Sequence, residues 1–212
     1  MKKINIRNLK EIKSAEADSL QKILDRLFFA GTDVKTVLFA GVDETDARDT
    51  TLNLARILTK GGKRVLLLDM NIGRDDVSLA LDDQDAGVTH YLAGRCELKD
   101  IFYETNVPSL SVVPAGAGTI NPELVLIPDR LKALADACKQ DYDWVLIYGT
   151  AINRQNTQAL SYAPLSDGAV LIAKHKITHK ADLTWAKNAL NKADCSVLGC
   201  VVLDVKNPAD YN

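Results

Sequence analysis

The sequence predicts an α/β fold, a doubly wound, mostly parallel sheet flanked by helices, and two observations carry that reading. Strand-length runs, at Val37 to Ala40, Arg64 to Leu68, Leu110 to Val113, Trp144 to Ile147, Ala169 to Ala173 and Val197 to Val205, are apolar almost throughout instead of at alternate positions. Stretches of helical periodicity separate them. Strands buried on both faces and joined by helical crossovers make a parallel sheet. At 212 residues and 47% hydrophobic content the chain can bury one sizeable core and demands no second.

The elements follow in order. Lys2, Lys3, Arg7, Lys10 and Lys13, set against Glu11 alone, read as a basic, solvated arm. Leu20, Ile23, Leu24, Leu27 and Phe28 recur at helical spacing, so an amphipathic helix packs on the domain before Gly31 ends it. Residues 1–30 are therefore an N-terminal addition, 31–206 the main domain, and 207–212 a short tail beyond Asn207-Pro208. After the Val37 strand comes a helix over Thr50 to Thr59, closed by Gly61-Gly62, and then the Arg64 strand, which ends in Asp69. Helices at Leu124 to Lys139, Gln155 to Ala163 and His179 to Lys192 separate the later strands. In such a sheet ligands lie beyond the carboxyl ends of the strands, here Gly41, Asp69, Pro114, Tyr148 and Lys174.

Composition excludes several function classes. A net charge of −2, from 26 basic and 28 acidic residues, gives no general attraction for nucleic acid or an anionic membrane. Four irregularly spaced cysteines without a signal-peptide pattern indicate reduced thiols and a cytoplasmic location. No apolar run is long enough to span a bilayer, so membrane contact is expected only through a partner.

The stretch from Val37 to Ala55 is an apolar strand, a loop opening at Gly41, and a helix carrying Asn53-Leu54-Ala55. A phosphate-binding loop of a P-loop NTPase-like domain belongs at this point. Such a loop works because glycines let backbone N–H groups close around phosphate, a lysine neutralises it, and a Ser/Thr hydroxyl holds Mg²⁺. Here the lysine and the second glycine are absent. Asp43, Glu44, Asp46 and Asp49 against Arg48 give the loop a charge of −3. At an effective dielectric of about 20, two like charges ~4 Å apart repel by ~4 kcal/mol, which opposes a triphosphate.

Several blocks resemble, in order and spacing, the cytoplasmic domain of bacterial tyrosine kinases of the polysaccharide co-polymerase system, within the deviant P-loop ATPases that include MinD and ParA. They are Thr50-Thr-Leu-Asn-Leu-Ala55, Gly62 to Asp69, Gly87-Val-Thr-His-Tyr-Leu-Ala-Gly94, Val112 to Gly116, Asn121-Pro-Glu-Leu124, Asp141 to Ile147 and Val197 to Leu203. The resemblance implies ATP-dependent phosphorylation of clustered C-terminal tyrosines, which controls the length and export of capsule or exopolysaccharide. It also implies a kinase that binds the cytoplasmic tail of a membrane-spanning co-polymerase.

Carried over residue by residue, the resemblance shows losses. Aligned on Asn53, Gly41 stands at the first loop glycine, Asp46 at the second, Ala47 at the phosphate lysine, and Arg48 at the magnesium-binding Ser/Thr, followed by Asp49 and Thr50. Arg48 offers a planar fork in place of a flexible point charge. Asp69 keeps the first metal-site acid, while Asn71 replaces the second and Tyr148 replaces the acid of the third motif. An amide is a weaker metal ligand than a carboxylate, and a phenol with a pKa near 10 does not act as one at neutral pH. The C-terminal tyrosine cluster is reduced to Tyr211. The basic oligomerisation motif would begin at Glu16 and meet Ser19 and Lys22.

Other candidates have plainer readings. Asp69 caps a turn or pairs with a base such as Arg74. His175 and His179 with Cys195 and Cys200 match no common zinc spacing. Trp144 and Trp185 lie in apolar stripes and read as packing residues. Asp204 falls near where the family reads adenine.

The expectation is a catalytically degenerate, pseudokinase regulator or scaffold of exopolysaccharide or capsule assembly. No cofactor and no metal are expected, and the vestigial site comprises Gly41, Asp46, Ala47, Arg48, Asp49, Thr50, Asp69, Asn71 and Tyr148. Its expected partners are the co-polymerase tail or a related active kinase, with homo-oligomers as a further option, at the inner face of the plasma membrane. Two rivals stand beside it. One is an active ATPase or autokinase using Mg-ATP through Arg48, Asp69 and Lys63; the other is a MinD- or ParA-like partner switch.

Overall fold

The computed structural model describes residues 2–4, 6, 14–29, 34–72, 86–116 and 128–205, with the side chains of 14–19 and 28–29 left aside. Eight strands form one sheet: β1 (Lys2–Ile4), β2 (Thr36–Gly41), β3 (Val65–Asp69), β4 (Tyr103–Thr105), β5 (Leu110–Val113), β6 (Trp144–Tyr148), β7 (Gly168–Lys174) and β8 (Val197–Leu203). Their order is β1-β4-β5-β3-β6-β2-β7-β8, parallel throughout except for the β4–β5 pair. The helices are α1 (Ser14–Phe29), α2 (Arg48–Lys60), α3 (Val88–Leu92), α4 (Pro128–Asp141), α5 (Gln158–Tyr162) and α6 (Lys180–Lys192).

Side chains alternate across a strand, so each strand feeds two cores. Val37, Phe39, Val65, Leu67, Leu146 and Tyr148 face the layer of α1 and α2. Leu38, Ala40, Leu66, Leu68, Val145 and Ile147 face α3, α4, α5 and α6. Complete burial of a side chain such as Leu54 contributes about 2 kcal/mol. The continuous apolar runs are thus explained by a sheet covered on both faces.

Three boundaries differ from the sequence expectation for identifiable reasons. The basic arm is not wholly solvated: Lys2–Ile4 pairs with β4, and Ile4 and Ile6 are buried, because Lys-Ile-Asn-Ile alternates with the period of a strand. The helix expected from Gln155 begins at Gln158, since Asn153 Oδ1 accepts from Gln155 N at 2.9 Å and Asn156 N at 2.7 Å and holds a turn there. Helix α2 starts at Arg48, earlier than expected, and ends as expected at Gly61 and Gly62, the latter at φ +78°. Gly31, Arg74, Asn121 to Leu124, the tail after Val205 and Tyr211 lie outside the described residues.

Candidate functional site

Register alone brings three of the sequence-selected positions together. Asp69 is the direct neighbour of Tyr148 across β3 and β6, and Phe39, two residues before Gly41, pairs with Tyr148 on its other side. Asp69 and Tyr148 end their strands on the sheet face that α2 covers, so both point at the first turn of that helix.

Their side chains meet in one chain of hydrogen bonds. Asn71 N donates to Asp69 Oδ1 at 2.9 Å, and Asn71 Nδ2 donates to the Tyr148 hydroxyl at 2.9 Å. That hydroxyl donates to Asp46 Oδ1 at 2.9 Å, and the same oxygen accepts from Arg48 N at 2.8 Å. The carboxylate of Asp46 therefore sits on a backbone N–H in the first turn of α2, where the helix dipole favours an anion and where a nucleotide phosphate would otherwise be received. Tyr148 is only 4% exposed, so its ring fills the space at the strand end.

The loop itself is closed. Gly41 is buried, and a Cβ added to it would stand 1.6 Å from Thr45 O, which means that the loop folds back on its own glycine. Val42 N donates to Ile172 O, Asp43 N to Ile152 O and Thr45 N to Val42 O, while Gly41 O accepts from Ile152 N. The reversal runs through Asp43 at φ +59°, a left-handed conformation that Asp tolerates better than most residues. Ala47 is buried and Thr51 Oγ1 is turned back onto Ala47 O at 2.7 Å. Four backbone donors of the loop, Val42 N, Asp43 N, Thr45 N and Arg48 N, are thus bonded within the protein, and a loop closed in this way does not fit a magnesium triphosphate.

The electrostatics agree with the geometry. Burial pushes the Asp69 carboxyl up to about 7, against the pull of the Asn71 N–H and the Arg48 guanidinium, with Asp46 adding to the rise. Asp43 is also raised, first by partial burial and then by Asp182 and Glu44, with His179 opposing. Arg48 has its guanidinium 3.9 Å from Asp49 Oδ1, and its Nε is buried without a protein partner, as is Asn71 Oδ1. Each such atom costs about 1–3 kcal/mol, so the filled site is held at some expense.

The segments around the site are held by their own bonds. Val88 N and Thr89 N donate to Pro114 O and Ala115 O, which docks the start of α3 on the loop after β5. Gly87 is required there, because a Cβ would lie 2.4 Å from Gly116 N. Arg130 lies over the Tyr91 ring, 5.5 Å from its centroid, and donates to Tyr91 O. Asp204 is engaged by Lys174 at 3.2 Å. Asp69 caps its own turn through Asn71, while Arg74 lies outside the described residues. Cys195 is buried against Ser166 Oγ at 3.3 Å and Cys200 is exposed on β8. Among the described residues no three His, Cys, Asp or Glu side chains converge as a metal site. Trp144 is buried, and Trp185 lies half-buried with Arg154 over its ring.

Residues 41–165 match the model of a family described as AAA domain, a span that runs from the loop glycine to the helical turn after Tyr162. The chain belongs to that family. It is similar to the tyrosine-protein kinase CpsD of Streptococcus agalactiae, 28% identical over 197 residues that cover 92% of this chain and 85% of that one. Among solved structures, the kinase domain of the Escherichia coli tyrosine kinase ETK aligns over 93% of this chain and 80% of its own, with a TM-score of 0.80 and 18% identity, which supports the fold. The cell division ATPase MinD of Pyrococcus furiosus aligns over 79% of this chain and 71% of its own, with a TM-score of 0.67 and 27% identity. The fold is thus that of P-loop NTPases, and the homologues are bacterial tyrosine kinases.

Asp46, Asn71, Asp69 and Tyr148 each stand out individually in the sequence, but the bond by which Asp46 and Tyr148 compensate one another is visible only in the structure. Its counterpart in the sequence is a paired change: an acceptor replaces a loop glycine while a donor replaces the facing acid.

Proposed function

We propose that this chain is a catalytically degenerate tyrosine-kinase-like regulator or scaffold in bacterial exopolysaccharide or capsule assembly. In this reading it binds neither ATP nor ADP and works by docking on the cytoplasmic tail of a membrane co-polymerase or on a related active kinase. One observation carries it: the bonds linking Arg48 N, Asp46, Tyr148, Asn71 and Asp69 fill the space between loop and strand ends with the protein's own groups. The kinase-like surroundings, including the docked Gly87 segment, support a role in the same assembly as its relatives. No helix among the described residues is long and apolar enough to cross a membrane; in the proposed reading a membrane role runs through the partner.

The loop and the strand ends are two separate lesions in this account. Asp46→Gly combined with Ala47→Lys and Arg48→Ser rebuilds the loop but leaves Tyr148 in place of an acid. Phosphate release from Mg-ATP is expected to stay at background both in the unaltered protein and in the triple variant. Turnover by the triple variant would show that the loop is the whole defect, and phosphotyrosine on the unaltered chain would refute the proposal.

A further inference from the structure

Among the described residues, the two edges of the sheet are protected unequally. Strand β1 carries exposed Lys2 and Lys3, which blunt that edge against pairing with another strand. Strand β8, the opposite edge, reads Val-Leu-Gly-Cys-Val-Val-Leu with no charge, no proline and partial exposure along its length, greatest at Cys200. His175 N donates to Leu203 O, so Leu203 turns its backbone groups toward β7. By the alternation of a parallel ladder, Val202 and Cys200 turn theirs outward.

Helix α1 crosses one face of this edge and leaves a groove of about 280 Å³ beside it. The floor is apolar, from Ile23, Leu27, Leu198 and Val201, while Lys22 and Arg26 bring positive charge to the rim; no acid is among the described lining residues. Asp25, on the same helix, is exposed and accepts from Gln21 Nε2 at 3.1 Å.

We infer that β8 and α1 form a docking site for an extended segment of a partner protein that carries both apolar and acidic residues. The segment adds a ninth strand through the outward groups of Cys200 and Val202, sets its apolar side chains on the groove floor and places carboxylates against Lys22 and Arg26. Like charges on the rim argue against a second copy meeting this groove face to face. The inference adds a surface to the proposed docking role but is independent of whether the nucleotide site is inactive.

The test uses the full chain and a fluorescent synthetic peptide of two Val-Val-Glu-Glu repeats. Strand side chains alternate between faces, so this pattern gives each face both residue types. Fluorescence anisotropy is expected to give a submillimolar dissociation constant that weakens with added salt. Replacing every glutamate of the peptide by lysine, or Lys22 and Arg26 of the protein by glutamate, is expected to weaken it about tenfold or more. Val202→Pro removes one outward N–H at an edge position where proline is tolerated, and it is expected to weaken binding with an unchanged circular dichroism spectrum. Absence of binding at about 1 mM peptide, equal binding of both peptides, or indifference to the Lys22/Arg26 reversal would overturn the inference. So would sedimentation showing that β8 is already buried in a dimer that Val202→Pro dissociates. Because no nucleotide enters this assay, its failure leaves the reading of the filled site standing, and the converse holds.

Discussion

Asp69→Asn is expected to stabilise the protein at neutral and alkaline pH by about 2–4 kcal/mol, and to leave stability nearly unchanged near pH 4. Asp69 is 1% exposed, and burial raises its carboxyl to about 7 from a usual value of 3.8. The folded state therefore binds the Asp69 proton more tightly than the unfolded state does. Below pH 4 both states are protonated and this group costs nothing. As pH rises from about 4 to about 7 the unfolded chain ionises first, so the contribution of Asp69 to stability falls; above about 7 the full cost of a buried charge is present. Asparagine keeps an oxygen to accept the Asn71 N–H and never ionises. Urea unfolding of both proteins between pH 4.5 and 8 measures the difference, which must grow with pH. A difference independent of pH would mean that Asp69 is ionised throughout and paired more closely than its contacts with Asn71 and Arg48 indicate.

Gly41→Ala is expected to cost about 2–4 kcal/mol, although only one methyl group is added. The new Cβ would fall 1.6 Å from Thr45 O, so the loop must move, and with it the Thr45 N to Val42 O bond and the contact of Asp46 with Tyr148. The cost measures how firmly the closed loop is held. Urea unfolding gives its size, and hydrogen exchange at Thr45 and Arg48 shows whether the lost stability is local to the loop. A change below about 0.5 kcal/mol would mean that the loop opens freely, which would remove the basis for a self-filled site.

The core of the fold was legible because strands covered on both faces must be apolar at nearly every position, as at Val65 to Leu68 and Val37 to Ala40. The edges were not. Lys2–Ile4 and Tyr103–Thr105 are three-residue strands whose pattern is hidden by charges that protect an edge, and β4 runs antiparallel to its neighbour β5. At the site, residue identity shows which family positions have changed, and the loop's acids count as a net charge of −3 that opposes a triphosphate. The structure partly changes that picture: Asp46 spends its carboxylate inward on Tyr148 and Arg48 N, while Asp43 is raised by burial and its acidic neighbours. Compensation of Tyr148 by Asn71 and Asp46, 77 and 102 residues away in sequence, is a tertiary property that no local pattern records.

The loss of catalysis proposed for this chain turns on whether the space between the loop at Gly41 and the ends of β3 and β6 can still admit a nucleotide. Isothermal titration of the full chain with Mg-ATP and with Mg-ADP measures this directly. The filled site predicts no saturable heat from either nucleotide at concentrations up to about 1 mM, equivalent to a binding free energy weaker than about −4 kcal/mol. A micromolar dissociation constant for either one would show that Asp46 and Tyr148 yield to phosphate, and would contradict the account.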